Sequence, residues 1–294
     1  MLQLDNISKA FGGRMALDGV SFGVREGRMT GFVGGNGAGK TTTMRILLGV
    51  LERDAGEITL DGESLGAPQR RNFGYMPEER GLYPKMKVRE QLVYLARLHG
   101  MTGADAGRNA DQLMEELGLG ERRDSTLESL SLGNQQRAQI AAALVHNPHI
   151  LVLDEPFSGL DPLAVDTVVD VLTQRAADGA SVLFSSHQLD IVERLCDDLV
   201  IIAEGSIRAS GEREALRAAH SAPRFTIASS NDLGWLHGEP EITVVELEHG
   251  RAIFDAAAPA AAQRVLRRAV AEGDVSTFAP QHASLAQIFR EVIQ

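Results

Sequence analysis

Two hydropathy periods alternate along the chain, and their order predicts its organisation. Leu2-Gln3-Leu4 and Val20-Ser21-Phe22-Gly23-Val24 alternate with period two, as strands with one buried face do. Met29 to Val33 is a short apolar run feeding a glycine-rich loop, and Ile58-Thr59-Leu60 before Asp61-Gly62 reads as a strand ending in a tight turn. The period then changes. Val88, Leu92, Leu95, Ala96 and Leu98 follow helical spacing up to Gly100. A second helix is predicted over about 104–117, capped by Gly118, and a third over about 132–146, closed by Asn147-Pro148.

Strand signals return at Ile150-Leu151-Val152-Leu153, wholly apolar as in a strand covered on both faces. Asp161-Pro162 opens a helix that ends near Gly179, with Asp as cap and Pro at the first helical position. Val182-Leu183-Phe184 and Leu199-Val200-Ile201-Ile202 read as further buried strands. This alternation predicts an α/β core with a parallel sheet, with a helical subdomain inserted at about 87–147. From about 220 the pattern restarts, with strands at 225–227, 242–245 and 252–254 and helices at 260–272 and 283–293. Two domains are therefore expected: 1–217, and a small α+β domain over 218–294.

The 294 residues, 44% hydrophobic and 23% charged, suffice for two domains with their own cores. A single cysteine, Cys196, excludes an internal disulfide framework and a cysteine-based zinc cluster. A net charge of −11 argues against a broad nucleic-acid surface, so no nucleic-acid partner is expected. No apolar run reaches the roughly 18 residues of a membrane span, and Met1-Leu2-Gln3-Leu4-Asp5 is unlike a signal peptide. The expectation is a soluble, acidic, cytoplasmic protein, free to bind a membrane protein.

Candidate chemistry sits where these elements meet. Gly34-Gly-Asn-Gly-Ala-Gly39-Lys40-Thr41 matches G-x-x-x-x-G-K-[ST], after an apolar strand and before a helical run from Thr42 to Leu48. Glycines there let backbone N–H groups turn toward phosphate oxygens, and the helix N-terminus adds positive potential. Lys40 would place its charge on the β- and γ-phosphates and the Thr41 hydroxyl would ligate Mg2+. The alternative is a glycine-rich turn without a ligand. Asp154-Glu155 ends the apolar strand, where ligands bind in open α/β sheets. Asp154 would reach the metal and Glu155 would act as general base, the two divided by alternation along an extended strand. The alternative is a pair of solvated loop acids. Ser131 is a candidate helix N-cap, and Gly133 would leave N–H groups accessible, making a second anion site.

These residues, with Leu130-Ser131-Leu132-Gly133-Asn134-Gln135-Gln136, Ser158-Gly159-Leu160-Asp161 and Ser185-Ser186-His187, resemble the ATP-binding subunit of an ATP-binding cassette (ABC) transporter over about residues 1–215. The resemblance implies a P-loop ATPase core with ATP and Mg2+ as cofactors, Walker A at 34–41 and Walker B at 150–154. It implies ATP contacts at Gly34, Asn36, Gly37, Ala38, Gly39, Lys40, Thr41 and Thr42, and at Asp161 of the D-loop. Phe11 would stack on adenine, the alternative being a core phenylalanine. His187 would touch the γ-phosphate and orient water with Glu155. Ser131 and Gly133 would reach the γ-phosphate held by a second ATP-binding subunit, identical or a close paralogue. Other partners would be membrane-spanning permease subunits, placing this chain on the cytoplasmic face of the cell membrane. His146, His149 and Trp235 are read as structural.

Three departures matter. Glu78 stands where the Q-loop usually has Gln; it could bind Mg2+ or a water, but it donates no hydrogen bond when ionised. Leu132 and Asn134 replace the usual Gly and Gln of the signature. The Pro77-Glu-Glu-Arg-Gly-Leu-Tyr83 run resembles a branch with separate membrane subunits, often exporters, and a groove around 78–90 would grip a coupling helix. The tail from about 220, ending Ser284-Leu-Ala-Gln-Ile-Phe-Arg290, resembles that of drug-resistance, sodium-export and antibiotic-export subunits. Competing readings are a soluble ABC ATPase not coupled to transport, a non-catalytic nucleotide sensor and a P-loop kinase.

Overall fold

Apolar runs of four to six residues are stable as strands only when both sheet faces are covered, and the first part of the chain builds its layers around four of them. The structure, a computed structural model, describes residues 1–79, 81–220, 223–281 and 284–293. Arg80 of the Pro77–Tyr83 run, residues 221–222 and Ala283 of the last predicted helix lie outside these. The chain divides into two compact units, Met1–Arg213 and Glu214–Val292.

In the first unit β1 (Leu2–Phe11) and β2 (Arg14–Val24) form a hairpin. β3 (Met29–Val33) leads through the glycine-rich loop into α1 (Lys40–Leu47). β4 (Ala55–Leu60), β5 (Glu63–Ser64), the short α2 (Ala67–Arg70) and β6 (Phe73–Met76) follow. Three helices then pack on one another: α3 (Val88–Leu98), α4 (Gly103–Glu116) and α5 (Leu132–Leu144). The unit is completed by β7 (Ile150–Leu153), α6 (Pro162–Ala177), β8 (Ser181–Ser186), α7 (Leu189–Leu195), β9 (Asp198–Ala203) and β10 (Ser206–Glu212).

These strands make two sheets. Six lie in the order β10-β9-β3-β8-β7-β6, parallel except for the antiparallel edge β10, and β3, β7, β8 and β9 are buried along their whole length. The period-two strands form a separate antiparallel sheet, β2-β1-β4-β5, so the predicted parallel sheet is only part of the core. Its alternating pattern is the reason: Leu2, Leu4, Ile7, Val20, Phe22 and Ile58 share one core with Met44 and Leu47 of α1 and Val152 and Val200 of the larger sheet. β10 escaped prediction because an exposed edge strand containing Ser206, Ser210 and Gly211 lacks an apolar period. α5 stops at Leu144, short of the predicted 146. No helix among the described residues is long and apolar enough to cross a membrane.

The helix α8 (Arg213–His220) precedes the sheet of the second unit. That sheet is antiparallel and four-stranded: β11 (Arg224–Ser229), β12 (Ile242–Glu248), β13 (Arg251–Ala256) and β14 (Val275–Gln281), in the order β12-β13-β11-β14. α9 (Pro259–Glu272) lays Ala261, Ala262, Val265 and Ala269 on Ile227, Ala252 and Phe254, and α10 (Leu285–Ile293) closes the chain. Trp235 packs at the margin of this core with the Arg268 guanidinium 4.2 Å above its ring.

Candidate functional site

Parallel strands all point the same way, so their C-terminal ends present their loops along one edge. β3, β8, β7 and β6 are neighbours in the sheet, and the loops after them carry the phosphate loop, His187, Asp154-Glu155 and Glu78. A cleft of about 300 Å³ lies there, lined by Gly35 through Thr42, Glu78, Asp154, Glu155 and Ala16. Ala16, on β2, has no sequence signal for this place.

The loop conformation depends on glycine. Gly39 has φ +112°, and a Cβ there would lie 2.6 Å from Leu17 Cδ2. At Gly34 a Cβ would come within 2.5 Å of the Ile202 carbonyl oxygen, so the loop can approach β9 only without a side chain. Lys40 is buried, and its Nζ donates to the Gly34 carbonyl at 2.7 Å and the Gly35 carbonyl at 3.3 Å. The loop thereby holds the ammonium beside the N-terminus of α1, the place an anion would take.

The carboxylates are arranged differently from the expectation. Asp154 and Glu155 do not alternate along an extended strand: β7 ends at Leu153, and Glu155 has φ +52°. A left-handed non-glycine backbone costs on the order of 1–2 kcal/mol and persists where neighbours over-determine it. Here the Glu155 N–H donates to Ser185 Oγ at 2.9 Å, and its carbonyl accepts from Gln136 Nε2 at 3.1 Å. The turn, not strand pleat, separates the two side chains.

Asp154 is 1% exposed; its Oδ1 accepts from Ser185 Oγ at 2.5 Å and its Oδ2 is buried without a hydrogen-bond partner. Its charge is felt nearby: burial, and then Asp154, push the Tyr75 phenol up. Glu155 Oε2 lies 2.9 Å from His187 Nδ1, a hydrogen bond that puts the proton on Nδ1 when Glu155 is ionised. The orphaned Asp154 oxygen, with Thr41 and Glu78 in the same cleft, is an oxygen donor set suited to a hard cation such as Mg2+.

Other expected residues lie outside this cleft. Ser131 caps α5, its Oγ accepting from Asn134 N–H at 3.4 Å, and it is exposed. Gly133 faces the D-loop of the same chain, where a Cβ would lie 3.6 Å from the Gly159 carbonyl oxygen. Asp161 is exposed and caps α6 through Ala164 N–H at 2.8 Å. Phe11, at the end of β1, is 50% exposed and so is not a core residue; Lys9 Nζ stands 5.7 Å from its ring centre.

Sequence reasoning gave Ser185 and Gln136 no role beyond membership of their motifs and did not single out Gln139. A serine inside the apolar run Val182–Ser186 is a usable signal, because a buried hydroxyl needs a partner. A second depression of about 300 Å³, more apolar, is lined by Phe73, Pro77, Leu82, Leu95, His99 and His146 among others. His146 stacks on His99 with ring centres 3.6 Å apart, and its Nε2 lies 3.2 Å from the Phe73 carbonyl oxygen. Burial, reinforced by His99, pushes the His146 imidazole down to about 4.

Comparison with known proteins identifies the family. Residues 17–158 match the ABC transporter family, and residues 211–293 match the C-terminal domain of DrrA1-3-like ATP-binding proteins. The ABC transporter ATP-binding protein YhaQ of Bacillus subtilis is 37% identical, over 100% of this chain and 98% of its own. The linearmycin resistance ATP-binding protein LnrL of Bacillus subtilis is 36% identical over 74% of this chain and 70% of its own. The Nod factor export ATP-binding protein I of Paraburkholderia xenovorans is 38% identical over 74% and 73%. Among solved structures, an ATP-binding subunit of an ABC transporter superposes with a TM-score of 0.69 at 34% identity, covering 74% of this chain and 92% of that one. A cassette with the same fold, solved as a dimer, superposes at 0.66 with 23% identity, covering 72% and 98%. The chain belongs to the ATP-binding proteins of ABC transporters, an ATPase family, and carries a DrrA1-3-like C-terminal domain.

Proposed function

We propose that this chain powers an exporter: two copies, or this chain and a close paralogue, close head-to-tail on two ATP molecules and drive separate membrane-spanning permease subunits from the cytoplasmic face. The observation that carries the reading is the convergence of Lys40, Asp154 and the Glu155–His187 pair on one cleft at the sheet edge. Relatives named for linearmycin resistance and Nod factor export support the direction of transport.

In this reading the 34–42 loop and Lys40 hold the phosphates, and Phe11 gives adenine an aromatic face. Thr41, Asp154 and Glu78 would hold Mg2+, which supplies charge neutralisation on the phosphate oxygens. Glu155 takes the proton from the attacking water as general base, and His187 holds its carboxylate in place. Ser131, at the N-terminus of α5, and Gly133 meet the γ-phosphate bound to the second subunit, with Asp161 beside them. Preorganised charge and positioning supply most of the rate enhancement, as in phosphoryl transfer generally. The groove at Pro77 and Leu82 receives a coupling helix of the permease.

The test is affinity purification of the chain from detergent-solubilised membranes of its native source, with and without trapped nucleotide. Recovery of a polytopic membrane protein is expected. Recovery of soluble proteins alone in both conditions would favour an ABC ATPase uncoupled from transport.

A further inference from the structure

Two buried glutamines of α5 stand one turn apart, and each closes on a pair of backbone carbonyls. Gln136 Nε2 donates to the carbonyls of Glu155 and Pro156, both at 3.1 Å. Gln139 Nε2 donates to the carbonyl of Pro77 at 2.8 Å and to that of Glu79 at 3.1 Å. The second pair brackets Glu78, a residue lining the cleft of the phosphate loop. Gln139 is 4% exposed and lines the apolar depression with Pro77, Ala142 and Ala143. An aliphatic side chain would pack there without the desolvation cost of an amide, so the amide is retained for its two bonds.

Why Glu78 needs such a hold follows from charge. It lines the same cleft as Asp154 and Glu155, and like charges gathered in one cleft repel. A neutral glutamine at this position would feel no such force. Residues 77–79 belong to no helix or strand, so no ladder restrains them. Among the described residues, the backbone bond from the neighbouring strand end, Asp154 N–H to the Met76 carbonyl at 2.8 Å, stops short of Glu78.

We propose that Gln139 is a positioning residue for ATP hydrolysis: its amide clamps the backbone on both sides of Glu78 and so holds that carboxylate at the cation of the bound nucleotide. The proposal rests on the reading of Thr41, Asp154 and Glu78 as the cation site. It also makes α5 the common support of two of the three cleft acids, through Gln136 at the Glu155 carbonyl and Gln139 around Glu78.

The test uses the whole chain and compares Gln139→Met, Glu78→Gln and the double variant. Affinity for the non-hydrolysable β,γ-imido analogue of ATP is measured with Mg2+ and in EDTA, alongside hydrolysis and thermal melting. Gln139→Met is expected to reduce the Mg2+-dependent gain in affinity by about tenfold, the usual size for loss of a group that orients a metal ligand. Affinity in EDTA should change by less than about twofold, because the phosphate loop is untouched. The double variant should be no worse than Glu78→Gln alone, since both changes act on one carboxylate. Should Gln139→Met fail to fold, Gln139→Asn, which keeps the amide one methylene short, is expected to give a smaller loss of the same kind. A lower melting temperature with an unchanged Mg2+ gain, or additive losses in the double variant, would overturn the clamp. If Glu78→Gln also leaves the Mg2+ gain unchanged, the cation-site reading falls and the proposal with it.

Discussion

The two units treat buried polar groups in opposite ways. The first buries Lys40, Gln136, Gln139, Asp154, Glu155 and Ser185 around one cleft, and spends hydrogen bonds from three different elements to hold them. The second reduces its buried polar side chains, among the described residues, to Ser229, whose hydroxyl donates to the Asp274 carbonyl at 3.0 Å. Two of its ion pairs are partly exposed on both sides: Arg224 to Asp255 at 2.6 Å, and Arg264 to Glu241 at 2.7 Å. Such pairs contribute about 0–1 kcal/mol each. Its stability comes instead from Phe225, Phe254 and Phe278, with ring centres 5.6 to 6.4 Å apart, and from the alanine face of α9. Buried charge is costly unless it is paired and hydrogen-bonded, and the first unit meets that cost around its cleft, whereas the described core of the second unit is built from apolar packing.

That contrast is open to direct attack. The largest effect is expected from Glu155→Gln: hydrolysis should fall by about 10³-fold, the range of a lost general base, while ATP still binds. Phosphate release and nucleotide titration measure the two quantities, and a rate within tenfold of the original would remove Glu155 from the reaction. In the second unit, Phe254→Ala should cost about 3–5 kcal/mol of that unit's stability. Nucleotide affinity should stay as it was, read by denaturant unfolding beside ATP binding; a matching loss of ATP affinity would mean that the units are not energetically separate. Lys40→Ala should weaken ATP binding by about 100-fold, corresponding to one charged hydrogen-bonded contact, with little loss of melting temperature because its present partners are loop carbonyls. Unweakened binding would count against the phosphate loop.

The smallest effect concerns pH. His146 titrates near 4 in the folded chain and near 6.5 when unfolded, so in that interval the unfolded state binds more protons. Stability is therefore present above about pH 6.5 and is lost as pH falls toward 4. After allowance for partial exposure, the loss between pH 6.5 and 5 should be about 1 kcal/mol. Denaturant unfolding across this range should show it, and His146→Phe should flatten that part of the profile. An identical slope in the variant would assign the pH dependence to other groups.

What a reader of the bare sequence can see follows from how local each feature is. The phosphate loop is legible because its glycines, Lys40 and Thr41 act within one turn of chain. The caps Ser131 and Asp161 are legible because a cap reaches only three residues ahead. Strand period separated the one-face sheet from the two-face sheet in pattern, but not in space: nothing in Leu2-Gln3-Leu4 says which strand it will pair with.

The arrangement around the carboxylates was out of reach for the same reason. Ser185 meets Asp154 across 31 positions, and Gln139 meets Pro77 across 62. The left-handed backbone of Glu155, which separates it from Asp154, is held by Ser185 and by Gln136. The sequence by itself determined the chemistry: which groups could hold phosphate, and which acids stood ready beside them. Tertiary structure alone decided where those acids point, because a side chain's direction is set by hydrogen bonds from residues that only the folded sheet and α5 bring within reach.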